Sequence, residues 1–453
     1  MLTSIEPVER GSDLTVTDAK IKINDPDKAT RLNAARVLGK AIEEGVLRNT
    51  PSAEVNNHVH TTYSFSPYEP AAAAFAAWGA GLGIVGSVDH DSISAAEEMV
   101  EAASLIGIAS TVGFELRVSF LDTPLADKKI NNPDSKGIVY ICIHGVPKTR
   151  IEEVKSFLAP LQAIRNERNI RQIEKLNTLL EAYGIVVDFE RDVLPLSRAS
   201  EGGSITERHI LHALSKKMIN SYGRGETLLR FLCCELKLEI PSKVEEFHLD
   251  LENPHYEYDL LGVLKSAFLP SFFIQPSKEE SIDVREAVNF ANSIGAIAAY
   301  AYLGDVASSP TGDKKAEHFE DSFLAELLDL LVEIGFVAIT YMPPRNTKEQ
   351  LLRIQQLAQA RNLMEISGVD INSSRQTFSC PELLEENAKH LIDSAWALVA
   401  HEKLASVDPV YGLFHTQNPY REESLNQRIA RYAAIAKNSD VHHPYSMIEE
   451  VKS

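Results

Sequence analysis

The sequence has no uninterrupted apolar run of 18 or more residues, the length that a helix needs to cross a bilayer, so we expect no transmembrane helix. Its first residues lack a basic segment followed by an apolar stretch, so we expect no signal peptide. There are only four cysteines, and the adjacent pair Cys233 and Cys234 suits neither a CxxC ligand pair nor an easy mutual disulfide. These absences predict a reduced protein of the cytoplasm.

The chain also lacks any run rich in lysine and arginine, and its formal net charge is −19. A surface of this sign repels a phosphate backbone, so a nucleic-acid partner is disfavoured, although a metal site could still attract a small anion. The hydrophobic content of 44% and the charged content of 24% are those of a globular protein. A length of 453 residues indicates two or three domains, or one large barrel with insertions.

Strand-like and helix-like segments alternate in two stretches of the chain. In the first stretch, the apolar run Ile138–His144 has the pattern of a strand buried on both faces, and the alanine-rich Pro70–Gly79 that of a helix. The alternation resumes near residue 285. Repeated βα units predict a parallel sheet or barrel, whose functional residues gather at the carboxyl ends of the strands.

The residues between these stretches have the three- and four-residue periodicity of amphipathic helices, as in Ile151, Val154, Leu158 and Leu161. We therefore predict a mainly helical insertion. The predicted division of the chain is an N-terminal extension (1–54), a first part of the barrel (55–150), the insertion (151–284), a second part of the barrel (285–378) and a helical C-terminal extension (379–453).

Candidate metal ligands stand at the ends of the predicted strands. His58 and His60 share a strand face because alternate residues point the same way, and imidazole is the commonest nitrogen ligand for zinc, manganese or iron. The other strand ends carry Asp89-His90-Asp91, Gly113-Phe114-Glu115, Ile143-His144 and Asp370-Ile371-Asn372.

Each of these residues also has an ordinary interpretation. A lone His-x-His is more often a surface or core pair, and Asp91 is expected to cap the helix that follows it. Glu115 alone could be a solvated strand-end residue, and His144 alone a satisfied core histidine. Their recurrence at four successive strand ends favours a metal site, because a barrel brings such ends together.

Three segments together resemble the PHP (polymerase and histidinol phosphatase) family in order and spacing. They are Asn57-His58-Val59-His60-Thr61-Thr62-Tyr63-Ser64, Val88-Asp89-His90-Asp91-Ser92 and Val112-Gly113-Phe114-Glu115. The resemblance covers residues 55–145 well and 285–375 more loosely. It implies an α/β fold, a distorted (βα)7 TIM-like barrel with a helical insertion and a helical C-terminal extension.

The resemblance further implies a metal-dependent phosphoesterase with divalent ions, manganese, zinc or iron. The implied ligands are His58, His60, His90, Glu115, His144, Asp370 and Asn372. Three positions depart from the family pattern: Phe65 replaces an acidic residue or histidine, Tyr302 a metal-binding histidine, and Asn372 the last histidine of Asp-x-His. One ion site therefore keeps all its ligands, a second lacks one, and a third has two of its three weakened or absent.

The predicted reaction is attack of a metal-activated water on the phosphoester of a small phosphorylated metabolite or nucleotide. Cationic side chains would stabilise the developing charge. We predict catalytic roles for Asp89, His209 and Arg117, and substrate contacts from Arg208, Arg345 and Lys148. The ordinary interpretations are solvated charges for the cations, a cap of backbone amides for Asp89 and a surface helix histidine for His209.

Two other functions stay open. The same hydroxide would cleave an amide or ester, and a degenerate site would bind a ligand without catalysis. Cations that face the metal would favour phosphate, whereas an apolar mouth around Phe65 and Tyr302 would favour the other two functions.

Overall fold

The computed structural model describes residues 14–306 and 318–452. Seven strands form one sheet in chain order, namely β1 (Val55–Val59), β2 (Ile84–His90), β3 (Ala109–Ser119), β4 (Ile138–His144), β5 (Ile297–Tyr302), β6 (Ala338–Tyr341) and β7 (Met364–Ser367). The sheet curls until its edges meet, where His60 N donates to Ile371 O and Ile371 N donates to His58 O. The predicted distorted seven-stranded α/β barrel is confirmed.

The strand β4 runs antiparallel to both β3 and β5, while the other neighbouring strands are parallel. A parallel neighbour needs a crossover connection, usually a helix, and residues 120–137 between β3 and β4 contain turns but no helix. The chain therefore returns in the reverse direction. The expectation that every strand is parallel was wrong here, and the carboxyl end of β4 lies at the opposite end of the barrel.

Helices surround the barrel and share its core. They are α3 (Pro70–Gly79), α4 (Ala96–Ile106), α10 (Val284–Ser293), α11 (Leu324–Ile334) and α12 (Lys348–Ala360). Val139, Ile297, Ile339 and Ile366 of the strands are fully buried in one continuous apolar core with residues of α10, α11 and α12. This packing gives the site a rigid support.

The predicted insertion folds as helices with a core of their own. These are α5 (Ile151–Leu180), α6 (Glu207–Tyr222), α7 (Glu226–Arg230), α8 (Ser242–Leu249) and α9 (Tyr256–Phe272). Ile151 and Leu158 of α5 belong to the core of the barrel, whereas Ile173 and Leu180 belong to the core of the insertion. The long helix α5 therefore spans both cores.

The two ends of the chain pack onto the barrel as further helices. At the N-terminal end these are α1 (Val16–Lys22) and α2 (Lys28–Glu43), and at the C-terminal end α13 (His390–Val407), α14 (Leu425–Asn438) and α15 (Pro444–Lys452). Helix α13 contacts β3 and β7, and its Glu402 accepts a 2.6 Å hydrogen bond from Val112 N of β3. Across residues 14–306 and 318–452, no helix is both long enough and apolar enough to cross a membrane.

A fully buried ion pair attaches α2 to α4. Arg31 donates from Nε and Nη2 to the Glu98 carboxylate at 2.7 and 2.6 Å. The substitution Arg31→Met would leave that carboxylate buried without its cation, and we expect the free energy of unfolding to fall by about 3–5 kcal/mol. Urea denaturation measures this change. The control Arg36→Met removes an exposed arginine of the same helix and should change stability by less than about 0.5 kcal/mol; equal effects of the two variants would contradict the prediction.

Candidate metal centre

Four side chains from three parts of the barrel converge at one end. His58 of β1 and the following His60 point towards Glu115 of β3 and Asp370 after β7. Nε2 of His58 and of His60 lie 4.0 and 3.7 Å from Glu115 Oε2, and Nε2 of His60 lies 3.3 Å from Asp370 Oδ1. The ligand atoms of His58, His60 and Glu115 all lie within 4.8 Å of one another, so one ion can reach all three.

The arrangement fits a divalent metal ion. Two ligands of a tetrahedral ion with bonds of about 2.0–2.2 Å lie about 3.3–3.6 Å apart, close to the separations of 3.3, 3.7 and 4.0 Å found here. Nε2 of His60 is buried and makes no hydrogen bond to the described residues, as a ligand nitrogen requires. Two imidazoles and two carboxylates suit zinc, manganese or iron.

The electrostatics of the centre also favour a cation. Burial raises the pKa of Glu115, but His90 and then His58 and His60 outweigh it and lower the pKa to about 2. Burial acts to raise the pKa of Asp370 too, yet the imidazole of His60, whose Nε2 lies 3.3 Å from Asp370 Oδ1, holds that pKa well below the usual range. Burial lowers the pKa of His58. Burial also acts to lower the pKa of His60, but Asp370 and Glu115 raise it overall, so a metal ion would displace a proton there.

His90 also reaches the centre, where it is hydrogen-bonded to Glu115, one of the candidate metal ligands. Its Nδ1 lies 2.8 Å from Glu115 Oε2, and its ring stacks on His60 with centroids 4.5 Å apart. The side chain is 26% exposed and lines the adjoining cavity. His90 therefore orients Glu115 through Nδ1, and its Nε2 is left for a molecule bound in the cavity.

Asp89 positions the loop that carries His60. Its carboxylate accepts three hydrogen bonds of 2.7 Å, from Thr61 N, Thr61 Oγ1 and Ser64 Oγ. Ser64 Oγ lies 3.4 Å from His60 Nδ1. Asp89 is absent from the cavity lining, and its bonds suit the two roles that the sequence suggested for it, the orientation of a neighbouring histidine and the capping of a backbone amide.

Cys142 is a neighbour of the centre that the sequence analysis missed. Its Sγ lies 4.0 Å from Nδ1 of His58, because the antiparallel register pairs Cys142 with Glu115. Burial raises the pKa of the thiol well above its ordinary value. Cys142 is thus placed to orient His58 as a neutral thiol.

The residues that depart from the family pattern all have other partners. Asn372 donates from Nδ2 to Asp370 Oδ1 at 2.6 Å, and its Oδ1 accepts from Arg208 Nη1 at 2.6 Å. Its oxygen therefore already accepts a hydrogen bond from a cation, and its role as a metal ligand stays a prediction. The Tyr302 hydroxyl donates to Asp321 Oδ1 at 2.7 Å. Phe65 lies in the core of the insertion.

The antiparallel direction of β4 places His144 and Lys148 away from the strand end at which the sequence analysis expected them. His144 pairs with Ile297, the first residue of β5, and burial followed by the nearby His58 lowers its pKa to about 3. It is buried, and its Nε2 makes no hydrogen bond to the described residues, so its role as a ligand stays a prediction. Lys148 is exposed, and its backbone N donates to Ser406 Oγ of α13. Lys148 is absent from the cavity lining, so the structure does not place it at the predicted substrate contact.

His209 is a structural histidine. It is 1% exposed, and its Nδ1 accepts a 3.0 Å hydrogen bond from Thr206 N at the start of α6. Burial lowers its pKa to about 3. Because its ring caps a helix and is absent from the cavity lining, the structure does not support a catalytic role. Arg345, after β6, donates from Nε to Leu303 O at 3.2 Å and lies beside the cavity rather than in its lining.

Buried ion pairs join β3 to the insertion, beside the metal centre. The cations are Arg117, Arg165 and Arg168, and the anions are Asp91, Glu207 and Glu280. Glu280 lies 3.2 Å from Arg117 Nη2 and 2.6 Å from Arg168 Nε. Asp91 pairs with Arg165 and has a left-handed φ of 48°. Since α4 begins only at Ala96, the prediction that Asp91 caps this helix was wrong.

A cavity of about 230 Å³ opens over the centre. His58, His90, Glu115 and Asp370 line one wall, and residues of the insertion, among them Arg208 at the start of α6, line another. Arg117, Arg165 and Lys265 add cations, and Tyr140, Phe273 and Tyr341 add aromatic surface. The cavity thus combines candidate metal ligands with cations, and the barrel and the insertion both contribute to it.

No protein-family model and no curated protein matches this chain. Among solved structures, the chain is similar to one from Bifidobacterium adolescentis described as a "putative metal-dependent phosphoesterase", with 19% identity, a TM-score of 0.49, and coverage of 74% of this chain and 93% of that one. It is also similar to an amidohydrolase from Chromobacterium violaceum solved with bound sulfate and no metal, with 16% identity, a TM-score of 0.46, and coverage of 72% and 90%. Likeness at this level carries no argument about the reaction.

Proposed function

We propose that this chain is a metal-dependent hydrolase of small phosphoesters. One observation carries the proposal: His58, His60, Glu115 and Asp370 converge within ion-binding distance beside a cavity with several cations in its lining. A small molecule suits a cavity of about 230 Å³. The net charge of −19 disfavours nucleic acid.

The side chains of the cavity have distinct roles in the proposed reaction. A divalent ion held by the four ligands would supply a water of lowered pKa and offset charge on a phosphate oxygen. With Nδ1 of His90 donating to Glu115, Nε2 of a neutral His90 would serve as the acceptor for the proton of the attacking water. Guanidinium groups bind phosphate oxygens through paired N–H donors, which Arg208 can offer from the insertion.

Phosphate is favoured over an amide or carboxylic ester by the lining of the cavity. An apolar mouth around Phe65 and Tyr302 would have favoured the latter substrates. Phe65 instead packs into the core of the insertion, and the Tyr302 hydroxyl is bonded to Asp321. Arg117 and Arg208 line the cavity beside its apolar and aromatic side chains, so cations are present there to meet an anionic group.

Removal and return of the metal tests the proposal. Protein dialysed against a chelator should hydrolyse p-nitrophenyl phosphate at the background rate, and added manganese or zinc should restore the activity because the ion supplies the attacking water. p-Nitrophenyl acetate and p-nitroacetanilide serve as the matched ester and amide. Metal-dependent cleavage of these two without cleavage of the phosphate would replace the proposal with the amide or ester reaction. No metal-dependent cleavage at all would leave a binding role.

A further inference from the structure

We propose that this centre holds one metal ion rather than two, and that Arg208 supplies the second positive charge for an anionic substrate group. The inference rests on the proposed function, since it concerns the same cavity. Two observations support it. Donor atoms near the centre already have hydrogen-bond partners, and Arg208 is held over the cavity by its own contacts.

Two of the donor groups that a second ion would need have internal partners: Asn372 Oδ1 accepts from Arg208 at 2.6 Å, and the Tyr302 hydroxyl donates to Asp321 at 2.7 Å. His90 Nδ1 is bonded to Glu115 at 2.8 Å, which leaves His90 only Nε2 for a further contact. In the part of the chain that the structure describes, His58, His60 and Glu115 form the one group of three or more histidine, cysteine or acidic side chains close enough to hold an ion. A second group of this kind is not found among residues 14–306 and 318–452.

Arg208 is connected to the metal ligands through Asn372. Its Nη1 donates to Asn372 O at 3.2 Å and to Asn372 Oδ1 at 2.6 Å. Asn372 in turn donates from Nδ2 to Asp370 Oδ1 at 2.6 Å, the same oxygen that lies 3.3 Å from His60 Nε2. Two hydrogen bonds in series therefore connect the guanidinium to Asp370, a candidate ligand of the proposed ion.

The hydrogen-bond partners of Arg208 are uncharged, unlike the partners of two other arginines in the cavity. Arg117 lies 3.2 Å from the Glu280 carboxylate, and Arg165 pairs with Asp91. The hydrogen bonds of Arg208 within the described residues go to a backbone carbonyl and a neutral amide, and both come from Nη1. Its Nε and Nη2 remain available for an anion.

The core of the insertion fixes the position of Arg208. The next residue, His209, caps α6 through Thr206, and its ring lies edge-on to Phe65 with centroids 5.0 Å apart. Phe65 follows the loop that carries His60 and belongs to the core of the insertion. Two of the three residues that depart from the family pattern, Phe65 and Asn372, therefore help to hold Arg208 over the centre. A substrate oxygen can then contact the ion on one side and Arg208 on the other.

Metal content and phosphate binding test the inference without any assay of activity. Protein saturated with manganese or zinc and freed of excess metal by gel filtration should contain about one ion per chain by mass spectrometry, in the wild type and in Arg208→Met alike. Titration calorimetry with inorganic phosphate on the metal-loaded protein should show affinity about 10- to 100-fold weaker in Arg208→Met. Arg208→Lys should keep part of the affinity, because lysine retains the charge but not the paired donors.

Arg171→Met is the matched control, because Arg171 is an exposed arginine of α5, and its phosphate affinity should equal that of the wild type. If Arg208→Met unfolds, Asn372→Ala provides the second variant, since it releases the guanidinium and should also weaken phosphate binding. Two ions per chain in the wild type would overturn the inference, as would unchanged phosphate affinity in folded Arg208→Met. One ion with phosphate binding that depends on Arg208, but without hydrolysis, would refute the proposed function alone. Phosphoester hydrolysis with two ions would refute the inference alone.

Discussion

Replacement of His60 by alanine is expected to remove the metal ion and to lower kcat/KM for p-nitrophenyl phosphate by about a thousandfold or more. Nε2 of His60 lies between the carboxylates of Glu115 and Asp370, at 3.7 and 3.3 Å, so its loss leaves two anions facing each other without the nitrogen that completes the ligand set. His60 is 1% exposed, so its removal leaves a gap inside the protein next to the two carboxylates. Metal analysis and steady-state kinetics on the same preparations measure both effects.

Thermal denaturation separates the loss of metal from the loss of fold. A ligand that binds only the native state raises its stability, so manganese should raise the melting temperature of the wild type and leave that of His60→Ala unchanged. His443→Ala is the control, because His443 is an exposed histidine in the C-terminal region whose Nδ1 lies 2.6 Å from Asp440. It should retain metal and activity. Full metal content or full activity in His60→Ala would show that the centre lies elsewhere.

Local patterns were sufficient to predict most of the barrel. The helix Pro70–Gly79 and the strand Ile138–His144 have the predicted bounds, because residue composition and periodicity are properties of a short segment. The direction of a strand depends on its connection to the preceding one, and the pattern of β4 is the same for either direction. The parallel assignment of β4 therefore failed, and with it the placements of His144 and Lys148.

The candidate site could be predicted where its residues share a strand or a strand end. His58 and His60 alternate on one face, and Glu115 stands near the same end of the barrel, so one rule about side-chain direction brings them together. Contacts across long stretches of chain have no such signal. Cys142 contacts His58 from 84 residues away, and the hydrogen bond from Arg208 to Asn372 spans 164 residues. These contacts depend on the register of β4 and on how the insertion packs on the barrel, neither of which is encoded in a local motif.

The substitution Glu207→Gln is expected to destabilise the fold by about 3 kcal/mol at pH 7. Glu207 lies 2.8 Å from Arg168 and 3.7 Å from both Arg117 and Arg165, so it contacts all three arginines that join the barrel to the insertion. Glutamine keeps the shape of the side chain but leaves three buried cations with two anions. Urea denaturation of chelator-treated protein measures the change without a contribution from bound metal.

The effect of Glu207→Gln should depend on pH in a direction set by the pKa of the carboxyl. Burial raises that pKa, but Arg117, Arg168 and Arg165 outweigh burial and hold it well below the ordinary value. A carboxylate with a lowered pKa in the folded state stabilises the fold fully above its unfolded pKa of about 4.3, and loses this contribution as the pH falls through the folded value. The stability difference between wild type and variant should therefore be constant from about pH 7 to pH 5 and shrink below about pH 4.

Two further variants identify charge as the cause. Glu167→Gln changes an exposed glutamate of α5 that stands in sequence between Arg165 and Arg168, and it should alter stability by less than about 0.5 kcal/mol. Arg117→Met combined with Glu207→Gln removes one cation together with one anion, so the double variant should be more stable than the sum of the single effects predicts. If the two effects simply add, or if Glu207→Gln costs as much at pH 3.5 as at pH 7, shape rather than charge holds the insertion on the barrel.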